Sequence, residues 1–203
     1  MDDQLGTNAP AAESPVTDAC VITRSLEDPE VFAELFDRHA ASIFRYAATR
    51  IGPDAADDVM SETFYVAFRN RRSYDLSRAS ARPWLFGIAT HLIGQRRKVE
   101  ARHWRGLSRV GGPAWQETGD DAIVERVSAQ AVRAELAGAL ARLPERYRNV
   151  LLLIALADLD YAEAACALRV PIGTIRSRLH RARQSLRAEL DQHHLTASWK
   201  AAT

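Results

Sequence analysis

Pro171-Ile172-Gly173-Thr174-Ile175-Arg176-Ser177-Arg178-Leu179-His180-Arg181-Ala182-Arg183 is the stretch whose reading decides this chain. It reads as a tight turn followed by a helix with a cationic exposed face. The short apolar segment from Tyr161 to Val170 comes just before it. That order is the layout of a helix-turn-helix, whose second helix lies in the DNA major groove. With side chains turning about 100° per residue, Ile175, Leu179, Ala182, Leu186 and Leu190 fall on one stripe. This stripe is expected to pack on the preceding helix. Arg176, Ser177, His180, Arg181 and Gln184 point away from it, with Arg183 and Arg187 on its flank. Gly173 is read as the residue that permits the turn and Thr174 as the N-cap.

The first turns of a recognition helix reach base edges, which makes Arg176, Ser177, His180 and Arg181 the base-reading candidates. An arginine fork suits guanine because it pairs with O6 and N7 together. Arg178, Arg183 and Arg187 are better placed for phosphates. The competing structural reading is a solvated, arginine-rich amphipathic helix, since basic helix ends are common.

The 203 residues are enough for one large or two small domains, and 47% apolar content supports buried cores. A formal charge of only +1 conceals a strong asymmetry. Met1 to Asp28 carries Asp2, Asp3, Glu13, Asp18, Glu27 and Asp28 against Arg24 alone, whereas Arg69 to Arg109 and Arg169 to Arg187 are strongly basic. The two cysteines, Cys20 and Cys166, are far apart and in no metal-ligand or disulfide pattern. No segment approaches the roughly 18 apolar residues of a membrane span, and the acidic N-terminus lacks a signal pattern. The expectation is a cytoplasmic protein with no metal, no cofactor and no membrane contact.

No stretch shows sustained period-two alternation, so the fold class is all-α. Residues 1–25, rich in Ala, Pro, Thr and Asp, read as a disordered acidic extension. Helical patterning then starts at Asp28-Pro29, breaks at Gly52-Pro53, and resumes with Asp54 as a cap. Pro83 opens a third helix from Trp84 to about Arg102. Gly111-Gly112-Pro113 and Gly119-Asp120-Asp121 mark a linker. The pattern returns near Ala122, and Leu143-Pro144-Glu145 starts a helix to Ala157. Two small helical domains result, at 26–105 and 130–192, the second containing the helix-turn-helix. A flexible linker at 106–129 joins them, and a tail at 193–203 carries no clear signal.

Two further groups carry chemistry. Asp54, Asp58 and Glu62 recur at one-turn spacing, so carboxylates share a helix face beside Asp57. Unpaired like charges at that spacing cost stability, which a basic partner helix would relieve. The face also fits plain solvation near a helix N-terminus, or magnesium binding as in metal-dependent diphosphate enzymes. Magnesium chemistry needs a second facing carboxylate cluster, and the other acids are scattered. The second group is Trp84 with Arg82, Arg96 and Arg97 around it, preceded by a loop bearing Ser73, Tyr74, Ser77 and Ser80. An aromatic platform among cations is suited to unstacked bases of a single strand, although a tryptophan at a helix start also serves as core. Phe86 and Ile88 read as buried.

The layout resembles that of the extracytoplasmic-function (ECF) sigma factors, compact promoter-specificity subunits of bacterial RNA polymerase. The resemblance rests on Asp54-Ala55-Ala56-Asp57-Asp58-Val59-Met60-Ser61-Glu62-Thr63-Phe64 and Pro83-Trp84-Leu85-Phe86-Gly87-Ile88-Ala89 in the first domain. In the second it rests on Leu143-Pro144-Glu145-Arg146-Tyr147-Arg148, Asp160-Tyr161-Ala162-Glu163-Ala164-Ala165 and the turn with its following helix. The family commonly has Gly before that turn, where this chain has Leu168-Arg169, and Asn where this chain has His91.

The resemblance implies a role for each surface. Asp57, Asp58 and Glu62 would bind core polymerase, helped by the apolar face near Tyr147 and Val150. Arg176, Ser177, Arg178, His180, Arg181 and Arg183 would read the −35 element as duplex. Ser80, Arg82, Trp84, His91, Arg96 and Arg97 would melt and hold the −10 element, with a base flipped into the preceding loop. Core enzyme and promoter DNA are the implied partners, and an anti-sigma protein a possible third. The chain would not itself be an enzyme. The alternative is a stand-alone helix-turn-helix regulator that binds duplex tightly by itself, usually as a dimer.

Overall fold

The computed structural model describes residues 16–107 and 136–201, and among these there are helices and turns but no strand. Helix α1 (Asp18–Arg24) is capped by the Thr17 hydroxyl, which accepts from the Cys20 amide. Asp18 in its first turn and Arg24 in its last complement the helix dipole. A short 3-10 turn, Pro29–Phe32, leads into α2 (Ala33–Ile51). Gly52, at φ 81°, ends α2, and Pro53 opens α3 (Pro53–Asn70) at the position where a missing amide costs nothing. A second 3-10 turn, Arg71–Ser73, and an irregular loop precede α4 (Arg82–Leu107).

After a helical segment at 136–142 come α5 (Glu145–Ala155), α6 (Tyr161–Leu168) and α7 (Ile172–Ala201). A capping box starts α6: the Asp160 carboxylate accepts from the Glu163 amide, and the Glu163 carboxylate accepts from the Asp160 amide. Helices α6 and α7 pack as the expected helix-turn-helix.

In the first half, α2, α3 and α4 enclose Leu35, Ile43, Tyr46, Val59, Leu85, Phe86 and Ile93, all essentially without solvent contact. Tyr46 meets Phe86 edge-on at 5.3 Å, and its hydroxyl lies 2.8 Å from that of Thr90. In the second half, Val150, Leu153, Ile175, Leu179 and Ala182 are buried. The two halves are docked, and one buried cluster runs through both. Helix α4 lies against α6 so closely at Gly87 that a Cβ there would stand 2.6 Å from the Ala167 carbonyl oxygen. Two hydrogen bonds cross nearby. Arg82 Nη2 donates to the Ala157 carbonyl at 2.6 Å, and Arg50 Nη2 donates to Asn149 Oδ1 at 2.6 Å.

Four expectations need correction. The extension read as disordered to residue 25 is ordered from residue 16 onward, because α1 buries Val21 and Ile22 completely. The seven-residue helix is too short for a periodic signal, and its burial is tertiary. The turn before α7 is made by Arg169 in the left-handed conformation, at φ 51° and ψ 48°, and not by Gly173. Thr174 lies inside the helix, its amide donating to the Pro171 carbonyl, so it is not the cap. Finally, α7 continues to Ala201, through the tail that begins at residue 193. Residues 1–15 and 108–135, and with them most of the expected linker and Asp120-Asp121, lie outside the described residues.

Candidate nucleic-acid interface

On α7 the expected division of faces holds. Ile175, Leu179 and Ala182 are buried, with Leu186 and Leu190 half-buried. Arg176, Ser177, His180, Arg181, Arg183, Gln184 and Arg187 are exposed, and Arg178 is half-buried. Two of the exposed groups already have protein partners. Ser177 Oγ donates to the Thr174 carbonyl at 3.1 Å. Arg181 Nη1 reaches the Tyr147 hydroxyl at 3.3 Å. Arg181 and then Arg146, whose guanidinium lies 4.8 Å from the ring centre, hold the Tyr147 phenol below its ordinary value. Arg176 has no such restraint among the described contacts and projects as a bare cation from the first turn of α7, the position from which a base edge is reached. Val150, expected on a polymerase-facing surface, is fully buried in the core of the second half, so it cannot touch a partner.

The second cationic surface is organised around Tyr74. Its ring is buried, and its hydroxyl donates to the Arg78 carbonyl at 2.8 Å and the Ser80 carbonyl at 2.9 Å. Burial, then the nearby negative charge of Asp18, pushes the phenol up to about 12, which keeps it a donor. Asp75 shapes the loop tip by accepting from the Ser77 amide and hydroxyl and from Arg78. Trp84 is half-buried and stacks on Tyr74, with ring centres 5.0 Å apart and planes tilted by 50°. It is therefore partly core and partly open. Phe86 is buried as expected, and Ile88 is half-buried.

The remaining members of this set are dispersed by the packing. Ser80 Oγ accepts from the Arg82 amide at 3.3 Å. The Arg82 guanidinium turns into the seam between the halves. His91 is exposed on α4, its Nε2 lying 2.9 Å from Gln95 Nε2. Arg97 donates to the Arg50 carbonyl at 2.5 Å. Arg96 pairs with Asp58 at 3.3 Å. That pair joins two residues assigned to different surfaces, and Asp58 is not the unpaired charge its spacing suggested. Its side chains are 32% and 70% exposed, so it contributes little stability and is free to exchange partners. Asp54, Asp57 and Glu62 stand exposed on the same face of α3.

Two buried charged residues were not apparent from sequence. Arg50 is 5% exposed, donates to the Tyr46 hydroxyl at 2.8 Å, and links α2 to the second half through Asn149. Its one-turn spacing from Tyr46, on the apolar stripe of α2, is the signal that marks it. Asp18 is 7% exposed beneath the Tyr74 loop, and no pattern in its neighbourhood predicts that. Among the described residues no group of three or more His, Cys, Asp or Glu is placed to hold a metal ion. No described helix is long and apolar enough to cross a membrane.

Residues 35–103 match the family model for Sigma-70 region 2, and residues 133–186 match that for Sigma-70, region 4. The ECF RNA polymerase sigma factor SigL of Mycobacterium tuberculosis is 34% identical over 164 residues, spanning 80% of this chain and 90% of the relative. SigW of Bacillus subtilis, also an ECF sigma factor, is 28% identical over 170 residues with the same coverage of 80% and 90%. Among solved structures, CnrH in complex with the cytosolic domain of CnrY is 25% identical. It superposes with a TM-score of 0.61 over 86% of this chain and 97% of that one. The sigma factor RpoE of Bartonella quintana, at 21% identity and a TM-score of 0.59, covers 79% of this chain and 96% of its own and shares the fold.

Proposed function

This chain belongs to the ECF RNA polymerase sigma factors, which direct promoter-specific transcription, and on that premise we propose how its surfaces divide the task. The exposed carboxylates Asp57, Asp58 and Glu62 on α3 bind a basic surface of core polymerase. The exposed face of α7, led by Arg176 with His180 and Arg181, reads the −35 element in the major groove, while Arg178 and Arg183 contact phosphate. The Tyr74 loop and α4 capture the −10 element as single strand, using Ser80, Arg82, Trp84, His91, Arg96 and Arg97. The observation that carries this reading is the exposed cationic face of α7 opposite a buried apolar stripe, in a chain whose first half presents a second cationic helix. Catalysis of RNA synthesis stays with the polymerase, and the chain acts in the cytoplasm.

The docked arrangement supports one further step. Arg82 is committed to the Ala157 carbonyl, and α6 covers α4 at Gly87. DNA capture by α4 therefore requires the halves to part, which engagement of both by the large polymerase surface can drive. The solved complexes of CnrH with the cytosolic domain of CnrY and of RpoE with the anti-sigma factor NepR make an anti-sigma protein a proposed partner of this chain too.

Run-off transcription with bacterial core polymerase, with and without this chain, on a genomic promoter library tests the proposal. New discrete transcripts sharing two upstream elements are the expected result. Tight specific duplex binding without core, and no new transcript with it, would mark a stand-alone regulator instead.

A further inference from the structure

We propose that Asp18, which precedes the residues matched by the region 2 model, is a positioning residue for the loop that receives the −10 element. The inference rests on the assignment of that loop to −10 capture made above.

The geometry centres on one peptide unit, Ser80–Ala81, where the loop enters α4. Its carbonyl, on Ser80, lies 2.9 Å from the Tyr74 hydroxyl and shares that group's single proton with the Arg78 carbonyl at 2.8 Å. Its amide, on Ala81, donates to Asp18 Oδ2 at 2.8 Å. Both ends of the plane are held, so its rotation is fixed. Ser80 on one side, and Arg82 and Trp84 on the other, take their directions from it. The same end of α1 also holds the preceding residue, because the Asp18 and Ala19 amides donate to the Ala79 carbonyl at 3.0 and 3.4 Å.

The acceptor is itself immobilised. His39 Nε2 lies 2.8 Å from Asp18 Oδ2, and Arg38 Nη1 lies 3.1 Å from Oδ1. The Asp18 side chain is only 8% exposed. A buried carboxylate with three side-chain and backbone donors is a rigid reference point. Holding an irregular loop in one conformation before the base arrives removes its ordering cost from the binding step. A loop so held accepts the matching base and rejects others, where a loose loop adapts to either.

The test uses holoenzyme assembled from core polymerase and full-length chain, on the promoter recovered by the run-off screen and on the same promoter with its −10 bases changed. The readout is the ratio of open-complex formation on the two templates. D18A is expected to lower that ratio about tenfold, the scale of an orphaned buried amide. D18N retains an oxygen for the Ala81 amide and is expected to recover most of it. R38A weakens the hold on α1 yet leaves the Ala81 acceptor in place, and is expected to keep the ratio within about twofold. Y74F, which frees the other end of the same peptide, is expected to lower it like D18A and serves if D18A does not fold.

An unchanged ratio in folded D18A overturns the proposal. If D18A does not fold, an unchanged ratio in Y74F does so. An equal loss in R38A and D18A also overturns it, since that describes general loosening of α1. S80A and R82A separate the two levels of inference. If neither alters the ratio, the loop's assignment to −10 capture fails. If they alter it and D18A does not, only the role of Asp18 fails.

Discussion

Gly87 offers a direct test of the docked arrangement. An alanine Cβ there stands 2.6 Å from the Ala167 carbonyl oxygen and 3.3 Å from its Cα and carbonyl carbon. The obstacle is backbone in α6, which cannot rotate aside as a side chain would. Relief requires α6 to move off α4. Forced overpacking of this kind costs about 1–3 kcal/mol. Replacing a mid-helix glycine by alanine also favours α4 by about 1 kcal/mol, whether the halves are docked or parted, so that gain cancels in the docking equilibrium. The net expectation for G87A is a shift of about 5- to 150-fold toward the parted form, with α4 itself no less helical.

The chain's own thiols provide the assay. Its two cysteines are Cys20, exposed on α1, and Cys166, half-buried on α6 beside the seam. Cys20 is expected to react with a thiol reagent at the same rate in both proteins and calibrates the measurement. Cys166 is expected to react faster in G87A, and small-angle scattering to show a larger radius of gyration. Affinity for single-stranded DNA is expected to rise as Arg82 leaves the Ala157 carbonyl. An unchanged Cys166 rate and unchanged dimensions, in a protein that simply melts higher, would refute the reasoning. Close approach at Gly87 would then not govern how the halves sit.

Other expectations follow from the same structure. R176A should relax −35 specificity and weaken promoter binding by about 1–3 kcal/mol, measured by footprinting holoenzyme on matched and mismatched elements. E62K should sharply reduce co-purification with core polymerase while leaving the melting temperature nearly unchanged, because Glu62 is exposed on α3. Acid stability should depend on Asp18. Burial alone would raise its pKa, but the hydrogen bonds from His39 and Ala81, the charge of His39 and the bond from Arg38 outweigh burial and bring it from 3.8 to about 2. A depressed pKa means the unfolded chain binds the proton first, so this contribution is complete above about pH 4 and is lost as pH falls through about 2. It amounts to about 2 kcal/mol. Denaturant titrations of wild type and D18N between these limits should converge as the pH drops. Arg50→Met should destabilise the native protein and loosen the seam, since it removes the bond to Asn149 and leaves the Tyr46 hydroxyl with Thr90 alone, and hydrogen exchange in α5 should report it.

How much was legible in advance depended on the range of the interactions. Periodicity and helix breaks are local, so the all-α class, the break at Gly52-Pro53 and the two faces of α7 follow from residues a few positions apart. The exposed cationic face of α7 was legible for the same reason. Arg169 escaped because a left-handed residue ahead of the turn is most often glycine, and Gly173 sat nearby as a decoy. Arg96 and Asp58 were assigned to separate surfaces, and it takes the packing of α3 on α4 to make them partners.

The sequence by itself determined which faces would be apolar, which would be cationic, and that the second half would present a recognition helix, because each is written within one or two helical turns. Only the tertiary structure decided that α1 is part of the fold, that Asp18 holds Ala81 across 63 positions, and that Arg82 spans 75 positions to close the seam. Such contacts depend on where whole helices come to rest, and a buried carboxylate or a committed guanidinium carries no local pattern to announce it.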